Sequence, residues 1–183
     1  MKAVVWEGLR QEVSINSAVS GAFSKRGARE TAYMLQPGGP QPMDPQSMMD
    51  TLVAIFARDR VVAVVQATGS NFIVNVQDVD GDGVDELLLD GSLLTFGVLM
   101  TSARLLHLSG RELKTMHDFG GVYEGGCGNG HSMGNRAGVL RDAPPGKDGK
   151  PAFRVDVYGA PCRPDGTNPH LEDYKPLPGH KIT

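Results

Sequence analysis

The chain predicts an all-β fold of antiparallel sheets on three observations: short β-branched and aromatic runs, turn residues placed between them, and almost no stretch with helical periodicity. Glycine occurs 24 times and proline 12 times in 183 residues, which suits many short strands. A chain of this length buries a core as one domain, and residues 1–160 are read as that single all-β domain. Residues 161–183 hold five prolines and little periodicity, so they are read as an irregular Pro-rich tail that wraps the domain or stays mobile.

The elements follow in order. Trp6 serves as a core anchor in a first strand. Pro45 to Asp50, with Asp44 as cap, offers the best helix, of little more than one turn, and Met43, Met48 and Met49 beside it read as packing filler. Thr51 to Ala57 and Val61 to Gln66 form a hairpin around Arg58-Asp59-Arg60. Asn71 to Val76 makes a strand that enters an acidic loop, and Leu87-Leu88-Leu89 leaves it. Ala103 to Leu108 and Glu112 to Phe119 pair around Ser109-Gly110, and Arg136 to Arg141 and Ala152 to Tyr158 flank the polar turn Ala143 to Lys150. Gly125 to Gly134 reads as a flexible glycine-rich loop.

The acidic loop is the most chemically specific feature. Asp78, Asp80, Asp82 and Glu86 stand at the first, third, fifth and ninth positions, with Gly83 at the sixth, a spacing that turns a loop around one hard cation. Three aspartates and Glu86 supply carboxylate oxygen, Val84 supplies its backbone carbonyl, and Ca²⁺ is the favoured ion. Asp85 is expected to face solvent. Without a cation, five acidic groups in nine residues repel one another. An EF-hand is excluded, because its twelfth loop position is Leu89 instead of Glu and no helix follows.

Asp78 to Gly91, DVDGDGVDELLLDG, resembles the calcium-loop motif of FG-GAP and VCBS repeats, which form β-propeller blades in integrins and many bacterial surface proteins. The resemblance covers about fourteen residues and implies metal ligation by Asp78, Asp80, Asp82, Val84 and Glu86. Gly21 to Met34 overlays Gln77 to Asp90, with Phe23 on Val79, Gly27 on Gly83 and Glu30 on Glu86. Ala22, Ser24 and Arg26 replace the three aspartates there, so that copy should hold no ion. Two or three blade-like repeats fit the chain, which is too short for a closed ring of four or more blades. An incomplete propeller-like or β-sandwich arrangement follows, either complete or as a fragment of a longer FG-GAP propeller protein.

A net charge of −3, with scattered basic residues, argues against nucleic acid. The longest apolar stretch, Leu93 to Met100, is too short to span a membrane as a helix. Met1 to Arg10 does not read as a signal peptide, since Glu7 and Arg10 interrupt it. The loop nevertheless favours an extracellular or periplasmic protein whose leader is missing from this chain over a cytoplasmic one, because calcium sites fill more easily outside the cytosol. Cys127 and Cys162 suit one disulfide in such a compartment, with two free thiols as the alternative.

Two enzymatic motifs compete. Gly130-His131-Ser132-Met133-Gly134 matches the G-x-S-x-G elbow of a small serine esterase, with Asp156 and His170 in triad order, but no α/β sheet precedes it. Cys127, His131 and Cys162 suggest zinc only if His170 or His180 joins them, so the disulfide is preferred. His107 and His117 read as packed or surface residues within strands. The sequence favours a calcium-binding, non-enzymatic module, exported by a bacterium, that recognises a protein or glycan or serves a structural role.

Overall fold

The computed structural model describes residues 13–37, 51–128, 131–144, 151–180 and 182. Among these described residues, eleven strands form two antiparallel sheets that do not close into a barrel. The first sheet is a meander of β1 (Val13–Gly21), β2 (Glu30–Pro37), β3 (Leu52–Ala57) and β4 (Arg60–Gln66). The second continues in chain order through β5 (Phe72–Gln77), β6 (Glu86–Thr95), β7 (Val98–Ser109), β8 (Glu112–Gly128), β9 (His131–Ala143), β10 (Ala152–Ala160) and β11 (Lys175–Pro176). The third expected strand pair therefore extends the second sheet and makes no separate blade. Pro45 to Asp50 and Trp6 lie outside the described residues.

The two halves repeat each other locally. Loops 22–29 and 78–85 each join the first two strands of a sheet, closing on the pairs Gly21↔Glu30 and Gln77↔Glu86. Two-residue turns follow in both sheets, with Ala57↔Arg60 and Ser109↔Glu112 as closing pairs and positive φ at Arg58 and Gly110.

The core lies where the sheets meet. Phe23, Ala32, Met34, Val53 and Ile55 from the first half pack with Ile73, Leu87, Leu89, Leu106 and Leu108 from the second. In β6 alternation turns Leu87 and Leu89 inward, while β3 is covered on both faces, with Val53, Ala54 and Ile55 all buried. Edge strands β1 and β5 run side by side: Ile73 N–H donates to Ser17 Oγ at 2.8 Å, and Asn16 Nδ2 to the Asn71 carbonyl at 3.2 Å. The connection 67–71 between the sheets is pinned by buried Thr51, whose hydroxyl lies 2.7 Å from the carbonyls of Ala67 and Ser70. Arg104 reaches the same connection, at 2.7 Å from the Thr68 carbonyl.

Several strands are longer than expected. β7 starts at Val98, because Phe96-Gly97 turns β6 back on itself, and Phe96 (φ 50°) and Gly97 (φ 80°) both occupy the left-handed region. Gly125 to Gly128 and His131 to Gly134 belong to β8 and β9, not to a flexible loop. Chain length between turns, rather than side-chain preference, sets that pairing, since glycine has weak strand propensity.

The tail wraps the second sheet. Cys127 on β8 and Cys162 form a disulfide with Cα atoms 5.4 Å apart, β11 pairs with β10, and buried Ile182 bridges to Gly121. Buried Asn135 fastens the same corner: its Oδ1 accepts from Gly126 N–H, and its Nδ2 donates to Tyr123 and Asn168 at 3.1 Å. Both cysteines are occupied by this bond, which replaces the zinc alternative, and a disulfide points to an oxidising compartment. Intact mass should show no alkylatable thiol before reduction. Reducing this 35-residue closure should cost on the order of 3 to 4 kcal/mol in chemical denaturation.

Candidate metal centre

The acidic loop forms because its own side chains organise its backbone. Asp78 accepts from Gly81 N–H at 2.8 Å and from Gly83 N–H at 2.9 Å, Asp80 from Asp82 N–H at 3.1 Å, and Asp82 from Val84 N–H at 2.7 Å. These are short-range turns of the kind aspartate favours. Gly83 has φ 86°, which favours glycine, and the exposed Arg26 side chain lies over it, 2.6 Å from where a Cβ would stand.

One oxygen from each of Asp78, Asp80 and Glu86 lies within 4.8 Å of the others, an arrangement that can hold a metal ion. Asp82 stands outside that group, and half-buried Val84 is placed by its bond to Asp82. Asp78 is half-buried, Asp80 exposed and Glu86 fully buried. The pocket thus joins one inner carboxylate to two nearer solvent, in keeping with a hard cation's preference for oxygen donors.

Glu86 is the constrained member. Burial pushes its carboxyl above the ordinary carboxylate range; Val79 N–H (2.9 Å) and His107 Nδ1 (3.0 Å) oppose that shift, and the Asp80 charge adds to it. Glu30, also buried, shows what the site would be without a cation. Its Oε2 accepts from Phe23 and Ser24 N–H at 2.9 Å, matching the Val79 to Glu86 bond in the overlay, while Ser24 Oγ donates to Oε1. The first loop satisfies its glutamate internally with a hydroxyl. The second places the Asp80 carboxylate at the corresponding position, where it can only repel.

Asp85 does not face solvent as its alternation suggested. Its Oδ2 accepts from Ala22 N–H at 2.7 Å, and its own N–H donates to the Ala22 carbonyl at 2.9 Å, coupling the two loops. The roles of His107 and Glu30 depend on strand pairing, which sequence alternation along one strand does not show. The internal overlay was the one signal that pointed to Glu30.

A cleft of roughly 140 Å³ opens beside the loop. Val76, Leu88 and Leu105 form part of its floor, and Phe119, Phe153 and Arg141 its far side. Asp142 and Phe153 continue to a shallower surface that includes Asp80. Phe119 and Phe153 meet edge to face at 5.5 Å, and Arg141 is held 3.5 Å from Asp156.

The esterase motif finds no elbow. Ser132 sits within strand β9, Asp156 on β10 between Arg141 and Arg154, and His170 at the start of a single 3₁₀ turn beside Glu172. A nucleophile elbow needs a strand-to-helix turn over an α/β sheet. No family model, curated protein or solved structure matches this chain.

The raised Glu86 carboxyl sets a pH slope. A folded-state value above the unfolded one favours the protonated form, so this group's stabilisation is complete below the unfolded value and lost as pH rises through the folded one. In chelator, wild type should lose stability relative to Glu86→Gln as pH rises above the ordinary carboxylate range. Denaturant titration across that range checks it. The opposite slope would show that the His107 contact outweighs burial.

Proposed function

We propose that this chain is a calcium-binding, non-enzymatic β module of FG-GAP/VCBS type, acting outside the cytosol, in the periplasm or beyond the cell, in recognition or as a structural part. The observation that carries the proposal is the contrast between two loops of one shape. One closes on Glu30 with a serine hydroxyl, and the other closes on Glu86 with two further carboxylates within 4.8 Å. Carboxylates gathered around a buried glutamate cost stability unless a cation neutralises them.

Asp78, Asp80 and Glu86 would hold the ion, with Asp82 and the Val84 carbonyl completing the oxygen set from the same turn. A bound divalent cation supplies positive charge and fixes the turn between β5 and β6. The absence of an elbow around Ser132 supports a binding role over the esterase alternative. The cleft supports recognition: a protein or glycan group seated there would meet the Phe119 and Phe153 rings and lie next to Asp80.

Calcium at one hundred times its dissociation constant should add about 2.7 kcal/mol of stability relative to chelator. Asp80→Ala should remove most of that response, and Ser24→Ala should keep it while lowering stability in both conditions. Calorimetric titration with calcium and thermal unfolding of the three proteins test the reading. An unchanged midpoint with and without calcium would overturn it.

A further inference from the structure

The β6–β7 hairpin carries apolar side chains that stay largely in contact with solvent. Phe96 is 91 % exposed, Leu94 68 %, Leu93 49 % and Leu99 40 %. β5 stops at Phe72, opposite Asp90, so the last part of β6 runs beyond it. Register places Leu94 opposite Leu99 and Leu93 opposite Met100. Because adjacent residues in a strand point to opposite faces, the tip is apolar on both sides. A hairpin laid on a core, or on a flat partner, would be apolar on one side only.

Phe96 adds a second anomaly. It holds the first turn position at φ 50°, where asparagine or glycine would be relaxed and an aromatic residue is strained. Strain and exposure both disfavour phenylalanine at this position.

We propose that the tip of this hairpin, Leu93 to Leu99, inserts into the interface of a zwitterionic lipid bilayer. A tip with apolar side chains on both faces fits a medium that meets it from either side, with the aromatic ring and leucines at the boundary of headgroups and acyl chains. Four side chains expose too little surface for a protein interface, which buries about 800 Å² per partner. Charge selects the lipid: no charged residue lies between Asp90 and Arg104, and no basic residue between Arg60 and Arg104. Anionic headgroups thus gain nothing from this element, and binding should not weaken with salt. β6 spans ten residues from Glu86 to Thr95, about 30 Å of extended chain, so the acidic loop stands at the far end and takes no part in insertion.

The experiment is flotation of the full chain with phosphatidylcholine vesicles in calcium and in chelator, at low and high salt, beside Phe96→Asn and the double variant Leu94→Asn with Phe96→Asn. Wild type should float with the vesicles in all four conditions. Phe96→Asn should weaken partitioning by roughly tenfold, and the double variant should abolish it. Phe96→Asn should also unfold at the same or a higher temperature than wild type, since asparagine suits the turn. Wild type that stays with the soluble fraction at millimolar lipid would overturn the proposal. So would a lipid-free dimer that Phe96→Asn dissociates, because the patch would then be a protein interface. The calcium titration of Asp80→Ala is separate, so either reading can fail alone.

Discussion

Everything in this fold depends on twice burying a glutamate at the first position of a strand. Glu30 opens β2 and Glu86 opens β6, and each turns its carboxylate back onto a backbone N–H seven residues earlier. A buried carboxylate is tolerated only when its oxygens have partners. The loops therefore close in one geometry, and that geometry lets them touch. Asp85 and Ala22 exchange two hydrogen bonds between them, which aligns β1 with β5 and brings Phe23 and Met34 onto Leu87 and Leu89. The side of Gly21 facing Asp85 has no room for a Cβ, which would stand 2.8 Å from Asp85 Oδ2. The contact between halves is thus built into the loop sequences as well as the core.

The same geometry explains why two loops of equal length with equivalent closing pairs differ in chemistry. At the position of Ser24 the second loop carries Asp80. A hydroxyl donates to a neighbouring carboxylate, whereas a second carboxylate can only accept, so Glu86 turns its other oxygen to His107 and still experiences the Asp80 charge. Arg26, packed against Gly83, brings a guanidinium of the first loop beside the second loop's acidic turn.

How much of this was legible depended on distance along the chain. Short-range patterns were readable: the hairpin around Arg58-Asp59, the strand leaving the loop at Leu87 to Leu89, and the spacing from Asp78 to Glu86 all follow from period-two alternation and turn chemistry. Long-range partners were not. Asp85 looked like a solvent residue because alternation considers one strand at a time, yet a second loop occupies that solvent. Gly125 to Gly134 looked flexible because glycine has low strand propensity, but ladders on both sides hold it extended. Leu93 to Met100 is set against a membrane-spanning helix by its length and by Thr95 and Gly97, but its sequence does not signal a turn at Phe96-Gly97, because phenylalanine is a poor residue for one.

The two ends of β6 thus concentrate opposite chemistries. At Glu86 the strand begins in a cluster of charge, where every oxygen must be matched by a donor or a cation. At Thr95 it ends in a segment without charge, where apolar surface stays in water. Both are costly to a folded chain of this size, whose net stability is on the order of 5 to 15 kcal/mol. Neither cost is needed to hold the sheets together, since Glu30 closes its loop without aspartates and the Arg58-Asp59 turn ends its hairpin without exposed leucines. Features that the first half omits without losing the fold are the ones that the proposed cation and the proposed bilayer contact would account for.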